Sequence, residues 1–273
     1  DLKELQTLKT PSDAATIIES VQICMREIEL APKPFIAAIN GLALGGGLEI
    51  ALSCTYRIAA DDPRLKLGLP EVSLGLIPGA GGTQRLPRLV GLAAALSIMV
   101  EDRQVTAVRA LEIGLVDEIL PEADLLASAK DRILSGAAPA DQPWDREGFV
   151  PPGPALQSKE GQDVLNGMWA KIRRKKPGLE PAPEAIMRAV EGGLTSSIED
   201  GLALEREKFA GVATSQVVKN KIRTLFLGLN AANGMKDRPP GVAAYEIKNV
   251  AVIGIGLMGS GIAYCAAQAG YGV

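Results

Sequence analysis

Histidine is absent from all 273 residues. That removes Ser-His-Asp and Cys-His catalysis and any His-ligated zinc site within the sequence. Proton transfer is left to carboxylates, lysines, tyrosines, backbone amides or a bound cofactor. Cysteine is scarce: Cys24, Cys54 and Cys265 are scattered and odd in number, as expected of reduced, buried small side chains in a cytoplasmic-type compartment. No apolar run approaches the roughly 20 residues that cross a bilayer, so no membrane span is expected. A formal net charge of −3 gives no electrostatic reason to expect nucleic acid or an anionic membrane surface as a partner. No signal peptide is visible, but the first residue is Asp rather than Met, which leaves open a leader ahead of it. Otherwise the chain is 47% hydrophobic and 22% charged, ordinary for a globular protein and long enough for one large domain or two smaller ones.

Apolar periodicity places an amphipathic helix over 10–30, opened by Thr10-Pro11-Ser12-Asp13 and ended by Pro32 and Pro34,. "FIAAIN" (35–40), "YRIAA" (56–60) and "LVDEIL" (115–120) read as strands, and 49–54, 81–91 and 106–114 as helices,. Strands alternating with helices define an α/β domain. Near 136 the composition shifts to a proline- and glycine-rich loop, 135–154, and from Pro183 to about Leu229 the pattern is helical,. The basic run "KIRRKK" (171–176) reads as a solvated helix end, with contact to an anionic ligand as the alternative,. "NGMKDRPPGV" (233–242) reads as a linker.

Two stretches carry the chemistry. "GLALGGGLEIALSC" (41–54) holds four glycines in its first seven positions and then Glu49; "GLPEVSLGLIPGAGG" (68–82) sets Glu71 ahead of a second glycine-rich turn. Glycine that dense costs roughly 0.5–1 kcal/mol per residue relative to alanine. In exchange, backbone N–H groups can approach a substrate oxygen, and amides at a helix start point at developing negative charge. Two carboxylates beside such backbone suit the addition or removal of a proton and a water, one activating the water while the other protonates carbon, or the reverse. Two plainer explanations stand beside this: Glu49 favours the positive end of a helix, and glycine permits tight packing. Spacing alone does not show that the two carboxylates meet.

The run from "KPFIAAINGLALGGGLEIALSC" to "PGAGGTQRLPRLVG" closely resembles the crotonase (enoyl-CoA hydratase/isomerase) superfamily, with the likeness extending from about Asp1 to Pro121. The resemblance implies a spiral of ββα units and an enoyl-CoA substrate whose thioester carbonyl sits between two backbone N–H groups. It assigns one of these to Gly46, the two catalytic glutamates to Glu49 and Glu71, a position near the attacking water to Gly79, and an approach to coenzyme A to Lys3, which reads equally as an exposed helix lysine. Retention of both glutamates favours hydration, with isomerase activity beside it. The other oxyanion amide falls in a loop resembling the opening "DLKEL", one residue ahead of Asp1, so the sequence is read as truncated there.

"NVAVIGIGLMGSGIA" (249–263) contains Gly254, Gly256 and Gly259 as G-x-G-x-x-G after a β-type run, Val250 to Ile253, and before a helical stretch, the context a dinucleotide site requires. A glycine turn without ligand is the plainer alternative. The stretch resembles the start of 3-hydroxyacyl-CoA dehydrogenases, in which Met258 also lies near the NAD. The expected organisation is a crotonase-like domain (1–135), a loop and helical connector (136–245), and the first βα unit of a Rossmann domain (246–273), in the order of multifunctional β-oxidation enzymes. That order implies an acyl-CoA substrate, no cofactor for hydration, NAD for a dehydrogenase, a possible thiolase subunit, and a cytoplasmic location, or a peroxisomal one in a eukaryote. An NAD-dependent oxidoreductase as the main activity, and a non-catalytic acyl-CoA-binding protein, are the alternatives.

Overall fold

The computed structural model describes residues 2–175, 180–234, 239, 241–242 and 245–273. Asp1, Lys176 of the basic run and part of the 233–242 segment lie outside the described residues. The chain divides into two compact units, one reaching Gly228 and one starting at Leu229.

In the first unit, α1 (Leu2–Thr7) leads to α2 (Pro11–Glu29). Thr10 caps α2 in a full capping box: its side chain accepts from the Asp13 N–H while Asp13 accepts from the Thr10 N–H,. The buried face is Ala14, Ile18, Gln22, Met25 and Glu29, so two polar side chains sit on the stripe while Ile17 is exposed. Cys24 falls off that stripe and is exposed, as is Cys265, against the expectation of buried thiols; Cys54 alone is buried.

After α2 come β1 (Ile36–Ile39), β2 (Ala43–Leu44), α3 (Gly46–Ser53), β3 (Tyr56–Ala60), β4 (Leu67–Gly68) and a 3-10 helix, Pro70–Leu74. Then follow α4 (Gly82–Val90), α5 (Leu92–Val100), α6 (Ala107–Glu112), β5 (Glu118–Leu120) and α7 (Leu125–Leu134). All three strand pairs are parallel: β1 with β3, β3 with β5, and β2 with β4. Parallel strands are covered on both faces, which explains the mostly apolar, buried character of β3. Its one charged residue, Arg57, is buried and fully engaged, with Nε on the Leu115 carbonyl, Nη1 on that of Cys54, and Nη2 3.0 Å from Asp117 Oδ2.

A helical layer, α8 (Lys159–Lys175), α9 (Pro181–Gly193), α10 (Ile198–Ala213) and α11 (Gln216–Lys221), closes over the α/β part, followed by one π-helical stretch, Ile222–Gly228. The exposed end of α8 carries the described part of "KIRRKK". Helix α10 packs against α2, α4 and α9, placing Phe209 and Val212 in one core with Leu86, Ile77 and Ile18.

The second unit contains α12 (Leu229–Asn233) and α13 (Leu257–Gln268). Residues 250–253, expected as a strand, form none; the residue before them, Asn249, makes an isolated parallel bridge to Gly272, and Val250 N donates to Gly272 O. A strand needs a ladder along its length, and among the described residues the stretch at Gly272 supplies only this one bridge. None of the described helices is long and apolar enough to cross a membrane.

Candidate active site

The β2–β4 pair brings the two glutamates into one place. Ala43 lies opposite Leu67 and Leu44 opposite Gly68, and Gly45 N continues the ladder onto Gly68 O at 2.9 Å. Both strands therefore end side by side, pointing the same way. Each then turns into a helix with a glutamate in its first turn: Glu49 in α3 and Glu71 in the 3-10 helix. The carboxyl ends of adjacent parallel strands are where α/β folds place their ligands.

The turn between β2 and α3 depends on glycine. Gly45 has φ 57° and ψ −131°, a conformation that L side chains avoid, and a Cβ there would lie 3.0 Å from Glu71 Oε1. The Glu71 carboxyl is thus seated on bare backbone at the head of the helix that carries Glu49. Around Gly46, next in line, a Cβ would meet nothing within 4 Å. The first N–H groups of a helix have no intrahelical partner, and Gly46 stands exposed at the start of α3.

Glu49 is buried, and its Oε1 accepts from the N–H groups of Ala80 and Gly82, each at 2.8 Å. Those amides belong to the second glycine-rich turn, where Gly81 (φ 104°) caps α4. Gly79, just upstream, is packed rather than open: a Cβ would stand 2.7 Å from Phe209 and 3.0 Å from Ile18, and its carbonyl accepts from Gln22 Nε2. Lys3 lies on the exposed side of α1.

A third carboxylate completes the site, and the motif reading did not reach it. Glu205 of α10 is fully buried. Its Oε1 accepts from Gly81 N at 2.6 Å and Gln22 Nε2 at 3.0 Å; its Oε2 accepts from Thr83 N at 2.9 Å and Thr83 Oγ1 at 2.6 Å. The four consecutive amides from Ala80 to Thr83 therefore alternate between Glu49 and Glu205. A signal existed: Ile198, Leu202, Glu205, Phe209 and Val212 are buried at helical spacing, which puts an acid on an apolar stripe.

Three acids in one interior perturb each other. Burial, and then the charges of Glu71 and Glu205, hold the Glu49 carboxyl well above the ordinary range, with the Gly82 and Ala80 amides opposing. Burial likewise pushes Glu71 up to about 7. Glu205 is also raised by burial, against the hydrogen bonds from Thr83 and Gln22. Glu71 Oε2 is buried with no hydrogen-bond partner among the described residues. An unpaired buried charge costs more than an unpaired neutral oxygen, so Glu71 is where a shared proton costs least.

In the second unit, Gly254 has φ 98° and Gly256 caps α13. A Cβ on Gly259 would run into the Gly254 carbonyl oxygen, whereas around Gly256 there is open space. Met258 is exposed. These residues fit the tight turn of a dinucleotide site, in which the first and third glycines shape the backbone and the second leaves room for a pyrophosphate.

An α/β fold with paired acidic side chains at the carboxyl ends of adjacent parallel strands, beside glycine-lined turns, is an arrangement suited to acid–base chemistry between carboxylates. Residues 1–138 match the family model described as enoyl-CoA hydratase/isomerase. The chain belongs to the enoyl-CoA hydratase/isomerase family. It is also 37% identical over 268 residues to the fatty acid oxidation complex subunit alpha of Shewanella halifaxensis (strain HAW-EB4), covering 96% of this chain and 37% of that protein. The protein of the same name from Shewanella loihica (strain ATCC BAA-1088 / PV-4) is 38% identical over 269 residues, with the same coverages. The chain thus spans 37% of the length of these curated relatives. Among solved structures, an enoyl-CoA hydratase from Bacillus anthracis is 29% identical with a TM-score of 0.40, covering 80% of this chain and 66% of that one.

Proposed function

We propose that the first unit carries an enoyl-CoA hydratase of fatty-acid β-oxidation, and the observation that carries this is the pairing of Glu49 and Glu71 beside the exposed, glycine-built start of α3. Water adds across the C2–C3 double bond of a 2-enoyl thioester. Glu49, its anion supported by two backbone N–H groups, takes a proton from the water as its oxygen bonds to C3. Glu71 gives its proton to C2, and the Gly46 N–H holds the thioester oxygen as negative charge builds there. One such donor is worth roughly 3–4 kcal/mol in the transition state. After each turnover the proton on Glu49 returns to Glu71. A proton moved between C2 and C4 of a 3-enoyl thioester by Glu71 would give Δ3-Δ2 isomerisation at the same site. Lys3, exposed on α1, is the residue proposed to approach coenzyme A.

Residues 1–135 are proposed as the hydratase domain, 136–245 as loop and helical connector, and 246–273 as the start of an NAD-binding domain of a 3-hydroxyacyl-CoA dehydrogenase. The similarity to fatty acid oxidation complex alpha subunits over 96% of the chain supports that order, and it is the ground for proposing a thiolase partner and a cytoplasmic location. NAD, when bound, would accept hydride from the 3-hydroxyacyl-CoA that hydration produces. Gly254, Gly256 and Gly259 would hold its pyrophosphate at the start of α13, with Met258 beside it.

The test is the loss of enoyl-thioester absorbance from crotonyl-CoA in the full-length protein. Glu49→Gln and Glu71→Gln are each expected to lower turnover by orders of magnitude while acyl-CoA still binds. Tight acyl-CoA binding by the wild-type protein with no loss of the enoyl absorbance would favour a binding protein instead.

A further inference from the structure

We propose that Glu205, contributed by α10, is a positioning residue of the hydratase site: it holds the 80–83 turn from the side opposite Glu49 and supplies a fixed negative charge behind the two catalytic carboxyls. The proposal rests on the hydratase reading above. Its ground is the alternation of four successive amides. If Glu205 were only filling space, an apolar side chain would suit a fully buried position better. Instead both of its oxygens are saturated, each accepting from two donors. Of those donors only the Thr83 hydroxyl could turn to accept, so the position is built for the anion.

The hold extends in three directions. Gln22 Nε2, which donates to Glu205, also donates to the carbonyls of Gly79 and Leu202. Gln22 Oε1 accepts from Arg206 Nη1, so α2, α10 and the turn share one side chain. On the far side Arg85 Nη1 donates to the Ala80 carbonyl, and its other nitrogens grip Glu29. The turn that presents two N–H groups to Glu49 is thereby fixed on both faces by ionic side chains.

The charged groups that face Glu205 are Glu49 from α3, Glu71 from the 3-10 helix and Arg85 from α4, with Glu29 of α2 against Arg85 and Arg206 of α10 reached through Gln22. Burial raises the proton affinity of both catalytic carboxyls, and the charge on Glu205 adds to it. That keeps a proton on Glu71 near neutrality and makes Glu49 the stronger base.

The experiment is the pH profile of kcat/KM for crotonyl-CoA hydration by full-length wild-type protein and Glu205→Gln. Loss of the charge lowers the affinity of both carboxyls for protons. Both limbs should therefore move to lower pH, by about one unit, the order of magnitude for one neighbouring charge at an effective dielectric of about 20. kcat should fall more than KM rises, and Glu205→Asp should recover part of it. Both limbs unmoved in a folded Glu205→Gln protein would overturn the proposal and leave Glu205 a structural residue. Should that variant not fold, Thr83→Val removes one donor from Glu205 and raises its own proton affinity; the limbs should then move the same way by less, and unmoved limbs there would overturn the proposal too. A wild-type protein without hydratase activity would instead refute the reading on which the proposal rests.

Discussion

Replacing Gly45 by alanine tests whether the backbone between β2 and α3 is shaped for Glu71. Two costs follow from the geometry. The first is conformational: φ 57° with ψ −131° is glycine territory, and holding an L residue there costs about 1–3 kcal/mol. The second is functional. The new Cβ would stand 3.0 Å from Glu71 Oε1 and 3.7 Å from its Cδ, so the carboxyl must retreat by a few tenths of an ångström. A misplacement of about 1 Å can cost about 10²-fold in rate, so a retreat of this size should lower kcat by about tenfold, with KM little changed. The assay is steady-state hydration of crotonyl-CoA alongside a thermal melt, in which each kcal/mol lost should appear as about 2–4 °C for a unit of this size. The route of the effect is tested by a double variant. If alanine acts by displacing Glu71, Gly45→Ala added to Glu71→Gln should lower kcat no further than Glu71→Gln alone. Losses that multiply, or a Gly45→Ala protein with wild-type kcat, would refute the reasoning.

Glu71 is pushed up to about 7 in the folded protein from about 4.3 in an unfolded chain. Its proton therefore contributes stability that is present in full below about pH 4 and is lost as pH rises through 7, by up to about 4 kcal/mol. Glu71→Gln should thus gain on wild type in urea midpoint between pH 5 and 8, and a difference constant across that range would count against the assignment. The Arg85–Glu29 pair, at 2.6 Å with both side chains fully buried, should behave asymmetrically. Glu29→Ala should cost about 3–5 kcal/mol by chemical denaturation, because it strands Arg85 in the interior, whereas converting both residues to Met should recover most of that; equal losses would refute it. In the second unit, Gly259→Ala should abolish NADH binding to the full-length protein, read by fluorescence, because the Cβ meets the Gly254 carbonyl.

What was legible in the sequence was local. The capping box of Thr10 and Asp13 marks α2, and β3 emerges over the residues expected of it because its apolar run is short and bounded. Glu49 and Glu71 stood out through the glycines beside them, yet their convergence depends on a two-residue parallel pairing, Ala43–Leu44 with Leu67–Gly68, too short for any periodicity to announce. The buried face of α2 is not fully legible from apolar periodicity, for a physical reason. Gln22 and Glu29 are buried because they serve the turn and Arg85, and hydrophobic patterning assigns such residues to solvent. Glu205 stayed hidden for the same reason, compounded by distance: its partners at 81 and 83 lie 124 and 122 residues earlier. The strand expected at 250–253 has the right composition, but the pairing partner, not propensity, decides whether a ladder forms.

The origin of Glu205 in α10 has a consequence for synthesis. A ribosome that has released residues 1–138 has made every residue of the family match, both paired glutamates among them, and has not yet made the helix that seats on their turn. Until Ala213 has cleared the exit tunnel, the amides of Gly81 and Thr83 lack their acceptor and Phe209 has not yet covered Gly79. The nascent chain passes through an interval in which both glutamates have been made while the turn beside them still lacks its hold from α10.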